Sequence, residues 1–172
     1  MTFTVGALWR YPVKTLGGER LDTAEVTTNG IAGDRVVHVR GPEGVRTSRR
    51  HHNLLGLHAT LGPDGEPLVD GLPWGSPEVL DRVRAAAGPD AMLARYDGPE
   101  RFDILPLLVA TDGAVAAFGR DVRRLRPNIV IDGVDGTDEF GWPGAELHIG
   151  EVGVMLTDPA AECTVCSDAC AG

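Results

Sequence analysis

Closely spaced turn-forming residues divide the first half of this sequence into short segments, and this spacing limits the possible folds more than any other feature. The turns combine glycine with proline, asparagine or aspartate, and they lie at 28–30, 41–44, 62–65 and 71–76. The segments around them predict short strands at 3–9, 21–26 and 35–40, with 45–48 as a hairpin partner. Several short strands joined by tight turns are typical of a small β-barrel or sandwich lobe.

Two helices are predicted from their capping residues. Ser76 is followed by Pro77 and Glu78, which is an N-cap with proline at the first helical position, so we expect a helix to about Ala87. Thr111 is the cap expected for a second helix over 112–118. Glycine follows each helix, and glycine commonly ends helices.

The rest of the second half adds strands rather than helices. We expect a buried apolar segment at 105–110 and strands at 129–131, 147–149 and 152–156. The fold class predicted is therefore mainly β with a few short helices (α+β). We place a lobe boundary after Gly88-Pro89, which gives one lobe at 1–90 and another at 91–172.

Charge and hydropathy exclude several classes of function. The formal net charge is −9 over 172 residues, which argues against general binding to nucleic acid or to an anionic membrane, because both need a basic face. No apolar run reaches the roughly 18 residues needed to span a bilayer, and no secretory signal pattern opens the chain. We expect a cytoplasmic protein that binds neither nucleic acid nor membrane.

Lys14 is the only lysine among the sixteen lysine and arginine residues of the chain. Pro12 fixes its own φ and favours an extended Tyr11, so the chain should leave the first strand in a rigid turn. The Lys14 ammonium, the Thr15 hydroxyl and nearby amides can then converge on an anion. The alternative is an ordinary Pro/Gly turn with a solvated lysine.

Three further segments place arginine beside a turn. Arg35 follows Gly33-Asp34 at the start of a predicted strand, where the alternative is a surface Asp–Arg pair of little energetic value. Arg49 follows a predicted hairpin, where a solvated chain end is the alternative. Arg126-Pro127-Asn128 joins a cation, a proline-fixed bend and an amide, and this combination suits a phosphate or a polar heterocycle.

The three cysteines, Cys163, Cys166 and Cys170, all lie in the last ten residues. They do not form the distributed framework of a secreted disulfide-bonded domain. Three thiolates are one fewer than a structural zinc site normally takes, and no histidine lies nearby in sequence. Cys163 is a candidate thiolate ligand for a soft metal, and an exposed, oxidisable tail is the alternative.

Taken in order, these segments resemble the MOSC family, the proteins related to the C-terminal domain of molybdenum cofactor sulfurase and to the mitochondrial amidoxime-reducing component. The similar residues are Tyr-Pro-Val-Lys-Thr at 11–15, Gly-Asp-Arg at 33–35, Thr-Ser-Arg at 47–49 and Arg-Pro-Asn-Ile-Val at 126–130. Asp138-Glu139, Trp142 and 147–150 are similar to the elements that follow, and Cys163 falls where the family keeps its cysteine. The resemblance covers nearly the whole chain and implies a MOSC-type β-barrel with a small N-terminal β-barrel lobe.

The resemblance implies a pterin-dithiolene molybdenum cofactor (molybdopterin) between the two lobes. It assigns the cofactor phosphate and pterin to Lys14, Thr15, Arg35, Arg49, Arg126 and Asn128. Cys163 becomes the catalytic thiolate that ligates molybdenum. The implied activity is reduction of a small N-oxygenated substrate. Its electrons come from a partner protein, because we find no flavin, nicotinamide or iron–sulfur motif in the sequence. Pyridoxal phosphate binding is a further family-level association.

Two alternatives remain open at this point. In the first, Cys163 carries a persulfide received from a cysteine desulfurase, and the protein handles the cofactor or its sulfur. In the second, the chain is a non-catalytic binding module with an incomplete pocket. Two departures from the family favour these alternatives: Glu162 stands where relatives often carry arginine, and only nine residues follow Cys163, so we expect the closing barrel strands to be missing.

Overall fold

The structure is a computed structural model that describes residues 2–96, 98 and 101–156. Its strands in the first half are β1 Thr4–Arg10, β2 Val13–Lys14, β3 Glu19–Leu21, β4 Val26–Thr27, β5 Gly30–Ile31, β6 Val37–Gly41, β7 Gly44–Val45, β8 Ala59–Leu61, β9 Pro67–Val69 and β10 Leu72–Pro73. The later strands are β11 Met92–Arg95, β12 Val109–Thr111, β13 Ile129–Asp132, β14 Glu146–Ile149 and β15 Val152–Met155. The helices are α1 Pro77–Ala87 and α2 Asp112–Phe118, with short 3-10 turns at His52–Gly56, Val122–Arg124 and Asp138–Gly141.

The described strands form several small sheets. One has the order β12-β13-β1-β3, in which β1 runs antiparallel to both neighbours and β12 runs parallel to β13. A second has the order β11-β6-β2, with β7 paired to β6. The others are β10-β9-β8, β14-β15 and β4-β5. The predicted mainly β class with short helices is confirmed, although the described strands do not close into a barrel.

Both predicted helices and their caps are confirmed. The Ser76 Oγ accepts a hydrogen bond from the Val79 amide at 3.3 Å, and the Thr111 Oγ1 accepts one from the Ala114 amide at 3.0 Å. Each cap satisfies one of the amides that the first turn of a helix leaves without an intrahelical acceptor. In the part of the chain described, no helix combines the length and the apolar character needed to cross a membrane.

Two hydrophobic clusters support these sheets. The larger packs α1 against β2 and β6, with Val37, Leu54 and Val79 fully buried. The smaller lies around β13, where Ile129 and Ile131 are buried beneath partly buried side chains from β1 and β12. Strands from both predicted lobes share sheets, since β13 pairs with β1 and β11 pairs with β6. The division at residue 90 stays a prediction.

Three local expectations were wrong. Residues 21–26 are not one strand, because the polar stretch after Leu21 separates β3 from β4, and aspartate and glutamate are poor strand formers. Arg35 does not begin a strand; its φ is 54°, which is incompatible with extended backbone, and β6 begins at Val37. The 105–110 segment is not uniformly buried, because it starts outside any strand and leaves the Leu105 side chain 45% exposed.

Candidate functional site

The candidate site is built where the chain passes from one sheet to the other. Strand β1 belongs to the sheet around β13, strand β2 belongs to the sheet around β6, and only Tyr11 and Pro12 connect them. The Tyr11 amide donates to the Asp34 Oδ1 at 2.7 Å, and the Tyr11 carbonyl accepts from the Arg35 amide at 2.8 Å. The 11–15 and 33–35 motifs are therefore held side by side by backbone contacts.

Tyr11 connects these two motifs to a third. Its hydroxyl donates to the Pro127 carbonyl at 3.1 Å, and its ring lies 5.3 Å from the Arg35 guanidinium carbon and 4.8 Å from that of Arg126. Burial raises the pKa of Tyr11 far above its usual value, more than the two arginine charges lower it. The hydroxyl therefore stays neutral and remains a donor, while the ring face holds both guanidiniums.

Gly18 explains how the chain can turn so tightly beside Tyr11. A Cβ atom at this position would lie 2.3 Å from the Arg10 carbonyl oxygen and 2.4 Å from the Tyr11 Cδ1 atom. Only glycine permits this close approach. Gly18 thus makes room for the buried Tyr11 ring.

Arg35 is oriented by groups from two motifs. Its Nη1 pairs with the fully buried Asp34 carboxylate and donates to the Asn128 Oδ1 at 3.2 Å. Its Nη2 donates to the Arg126 carbonyl at 3.4 Å. The expectation of a surface Asp–Arg pair is wrong, because Asp34 is buried and the Arg35 side chain is only 14% exposed.

The Asn128 side chain connects the start of β13 to Arg35 and to the end of β1. It is fully buried; its Oδ1 also accepts from the Leu108 amide at 3.2 Å, and its Nδ2 donates to the Trp9 carbonyl at 3.3 Å. Every polar atom of this side chain thus has a partner within the protein. As the structure stands, Asn128 positions Arg35 and the β1–β13 junction.

Backbone strain concentrates at the predicted site residues. Among the described residues other than glycine, four have positive φ: Thr15 at 79°, Arg35 at 54°, Arg126 at 58° and Asp70 at 49°. Each such conformation costs about 1–3 kcal/mol and persists only where the surroundings enforce it. Three of the four are residues that the sequence motifs singled out, and the β-branched Thr15 is the least tolerant of this region.

Several polar atoms beside this junction are buried without a hydrogen-bond partner in the described part of the chain. They are the Thr15 Oγ1, the Arg126 Nε and Nη2 and the His38 Nε2. Burial lowers the pKa of Arg126 to about 10, and the charge of Arg35 acts in the same direction. Arg126 is still protonated at neutral pH, so two buried cationic donors lack an acceptor. Such orphaned donors favour binding of an anion.

Lys14 lies at the same junction, at the end of β2 beside β6. Its ammonium, 8% exposed, donates to the Arg101 carbonyl at 2.9 Å and pairs with the Asp103 Oδ1 at 2.7 Å. The alternative of a solvated lysine is therefore wrong. His38 is the residue paired with Lys14 in the parallel β2–β6 register, and its ring is 98% buried.

Residues 2–79 match the model of the MOSC N-terminal beta barrel domain. The resemblance to the MOSC family that the motifs predicted is thereby confirmed for this N-terminal part of the chain. The chain matches no curated protein. The family is associated with the molybdenum cofactor, which agrees with the class that the motifs predicted. The match includes Lys14, Thr15, Arg35 and Arg49, whereas Arg126 and Asn128 lie beyond it and reach the MOSC region through contacts with Tyr11 and Arg35.

Arg49 lies at the edge of this MOSC region's site. It is exposed, as the alternative of a solvated end predicted, and it lines an open pocket of about 710 Å³ together with Arg46, Thr47, Arg50 and His51. Its charge lowers the pKa of Asp103, as do those of Lys14 and Arg35. Arg49 therefore lies within electrostatic reach of the Lys14 site.

The structure brings together most of the predicted MOSC site residues. Five of them lie at the sheet junction: Lys14, Thr15, Arg35, Arg126 and Asn128. Arg49 lies at the edge of this site. Their role in binding a cofactor stays a prediction. Cys163, Cys166 and Cys170 lie outside the described residues. Within those residues, no group of three or more His, Cys, Asp or Glu side chains is arranged to hold a metal ion.

Sequence reasoning missed three residues of the site. Tyr11 was read only as part of a motif, although its ring joins two arginines. His38 lies among the apolar residues of a strand and gave no signal of its own. Asp103 reaches Lys14 from 89 positions along the chain, and no local pattern predicts such a pair.

Proposed function

We propose that this chain binds a molybdenum cofactor at the sheet junction and reduces N-oxygenated substrates with electrons from a partner protein. The observation that carries the proposal is the set of buried donors that have no acceptor in the described part of the chain, the Thr15 Oγ1 and the Arg126 Nε and Nη2, with Arg126 in contact with Arg35. Lys14 and Arg35 already pair with Asp103 and Asp34, whereas the Arg126 Nε and Nη2 have no acceptor in the described part of the chain, and a bound anion would supply one.

The chemistry of these residues fits a phosphate-bearing pterin. A phosphate can be neutralised by three cations from three separate motifs, Lys14, Arg35 and Arg126. The guanidinium of an arginine can donate two parallel hydrogen bonds to two oxygens of one phosphate. The strained backbone at Thr15, Arg35 and Arg126 indicates that the protein enforces this arrangement at a cost in stability. Strain held at three positions of one site supports a binding role over a purely structural one.

Each residue has a distinct task in this proposal. Asp34 and Asn128 orient Arg35, so the guanidinium is in place before a ligand arrives. The Tyr11 ring supports Arg126 from one face and leaves its Nε and Nη2 available. When bound, the cofactor supplies the two-electron redox chemistry, while the protein supplies binding, orientation and electrostatics.

Cys163 is the residue proposed to contribute the protein thiolate to molybdenum, on the strength of the sequence resemblance alone. A thiolate suits a soft metal that already carries sulfur ligands. The open pocket lined by Arg49 is a candidate entrance for a small substrate, since the charge of Arg49 acts on Asp103 at the Lys14 site. The electron donor is proposed to be a separate protein.

Two substitutions test the cofactor site. Thr15→Val removes only a hydroxyl that has no partner in the described part of the protein, so we expect normal folding and a several-fold lower pterin content. Arg126→Gln removes two unpaired donors and a charge, and we expect at least a tenfold loss, because hydrogen bonds to charged groups contribute about 1.5–3 kcal/mol each. Pterin per chain is measured by fluorescence after oxidative release, on protein made in a host that synthesises the cofactor.

Arg123→Gln is the matched control, because Arg123 is exposed and its ion pair among the described residues is with Asp121 in its own turn. We expect its pterin content to equal that of the wild type. Melting temperatures of all variants separate loss of binding from loss of folding. Wild-type pterin content in a folded Arg126→Gln variant contradicts the proposed site.

A further inference from the structure

The Lys14 ammonium already has an anionic partner from its own chain. The Asp103 Oδ1 lies 2.7 Å from the Lys14 Nζ, and the Arg101 carbonyl accepts a second hydrogen bond from the same ammonium at 2.9 Å. Both partners come from the irregular segment that precedes β12, not from the motifs that build the site. A carboxylate therefore stands where a ligand anion would have to approach Lys14.

Asp103 interacts with the same cations as the proposed ligand. Partial burial acts to raise the pKa of this carboxyl, but the hydrogen bond and charge of Lys14 together with the charges of Arg49 and Arg35 outweigh it, so the pKa is lowered. The charge of Asp103 in turn acts on Arg126. The Asp103 carboxylate therefore lies within electrostatic reach of Lys14, Arg35, Arg49 and Arg126.

The two side chains of this ion pair differ in solvent exposure, and this difference decides which of them can be replaced by another ion. The Lys14 side chain is 8% exposed, whereas the Asp103 side chain is 66% exposed. A buried ammonium without an anion is costly, so Lys14 requires some negative partner. An exposed carboxylate regains its hydration easily when it leaves, so Asp103 is the partner that can be exchanged.

We propose that the Asp103 carboxylate occupies the anion position of the Lys14 site, and that a phosphate-bearing ligand binds there by displacing it. This inference rests on the proposed function, because it takes Lys14 to be part of the ligand site. It adds that Asp103 lowers the affinity of the Lys14 site for anionic ligands. The carboxylate keeps Lys14 neutralised in the free protein and competes with every anion that enters.

Inorganic phosphate is the probe, titrated by calorimetry into full-length, cofactor-free protein. Asp103→Asn removes the competing charge and keeps the side-chain shape, so we expect phosphate to bind about tenfold more tightly than to the wild type, as a partly exposed ion pair of this kind allows. Asp70→Asn is the matched control, because Asp70 also pairs with an arginine, Arg82, and neither residue belongs to the Lys14 site or to the pocket lined by Arg49. Its phosphate affinity should equal that of the wild type.

A second variant ties the gain to Lys14. In the double variant Lys14→Met with Asp103→Asn, the tenfold gain should disappear. Weaker or unchanged binding in Asp103→Asn overturns the inference, since Asp103 would then organise the site instead of filling it. The inference also fails if the double variant keeps the gain, or if no variant binds phosphate. Pterin content in the Arg126→Gln and Thr15→Val variants reports separately on the proposed function, so the two ideas can fail independently.

Discussion

Replacing Asp34 with alanine lowers the free energy of unfolding by about 3–5 kcal/mol, the largest loss that we expect from one substitution in this site. The Asp34 carboxylate is fully buried, accepts from the Tyr11 amide at 2.7 Å and pairs with Arg35. Alanine leaves the amide without its acceptor and leaves a nearly buried guanidinium without its counter-charge. Urea unfolding followed by circular dichroism measures the change.

Asp121→Ala is the control for this prediction. Asp121 pairs with Arg123 two positions away, just as Asp34 pairs with its neighbour, but both side chains of the Asp121 pair are exposed. Exposed pairs contribute little, and the Asp121 carboxylate also accepts from the Arg123 amide at 2.9 Å, so we expect a loss of no more than about 1 kcal/mol. Equal effects of the two substitutions would show that the buried Asp34–Arg35 pair does not hold the motifs together.

Stability should also fall as the pH decreases from about 6.5 to about 4, because of His38. Burial lowers the pKa of His38 to about 4, and the charge of Lys14 acts in the same direction. The unfolded chain, with a histidine pKa near 6.5, therefore binds a proton in this range that the folded protein does not. Neutral His38 contributes its full stabilisation above pH 6.5, and about 3 kcal/mol of it is lost by pH 4.

The pH dependence of stability is measured by urea unfolding at several values between pH 4 and pH 7. His38→Asn should flatten the curve by the amount that His38 contributes. His148→Asn is the control, because the His148 side chain is 74% exposed, and it should leave the curve unchanged. A wild-type slope that persists in His38→Asn contradicts this account of His38.

The sequence predicted the elements whose signals are local. The helices capped by Ser76 and Thr111 were predicted correctly, because a helix start depends on one hydroxyl that accepts from an amide of the first turn, and both groups are close in sequence. The strand at 129–131 was predicted correctly because a run of β-branched residues shortly after a proline favours a strand over a helix. The break after Leu21 was missed, since strand pairing and not propensity decides where such short strands end.

The candidate site was predictable as a set of motifs but not as a geometry. Order along the chain indicated that Lys14, Arg35 and Arg126 belong to one family pattern. The structure brings Arg35 and Arg126 together on the Tyr11 ring, and Lys14 and Arg35 both act on Asp103. Positive φ at Thr15 and Arg35 could not be predicted, because neither residue type favours it and only the surrounding packing enforces it. The pair between Lys14 and Asp103 depends on the tertiary fold alone.

The most direct test of the central claim is the molybdenum and pterin content of the wild-type protein, purified from a host that makes the cofactor. Elemental analysis for molybdenum and zinc is combined with pterin fluorescence after oxidative release. The account predicts molybdenum and pterin each near one per chain, because the buried donors of Thr15 and Arg126 need an anionic partner. Folded protein that contains neither molybdenum nor pterin would contradict it.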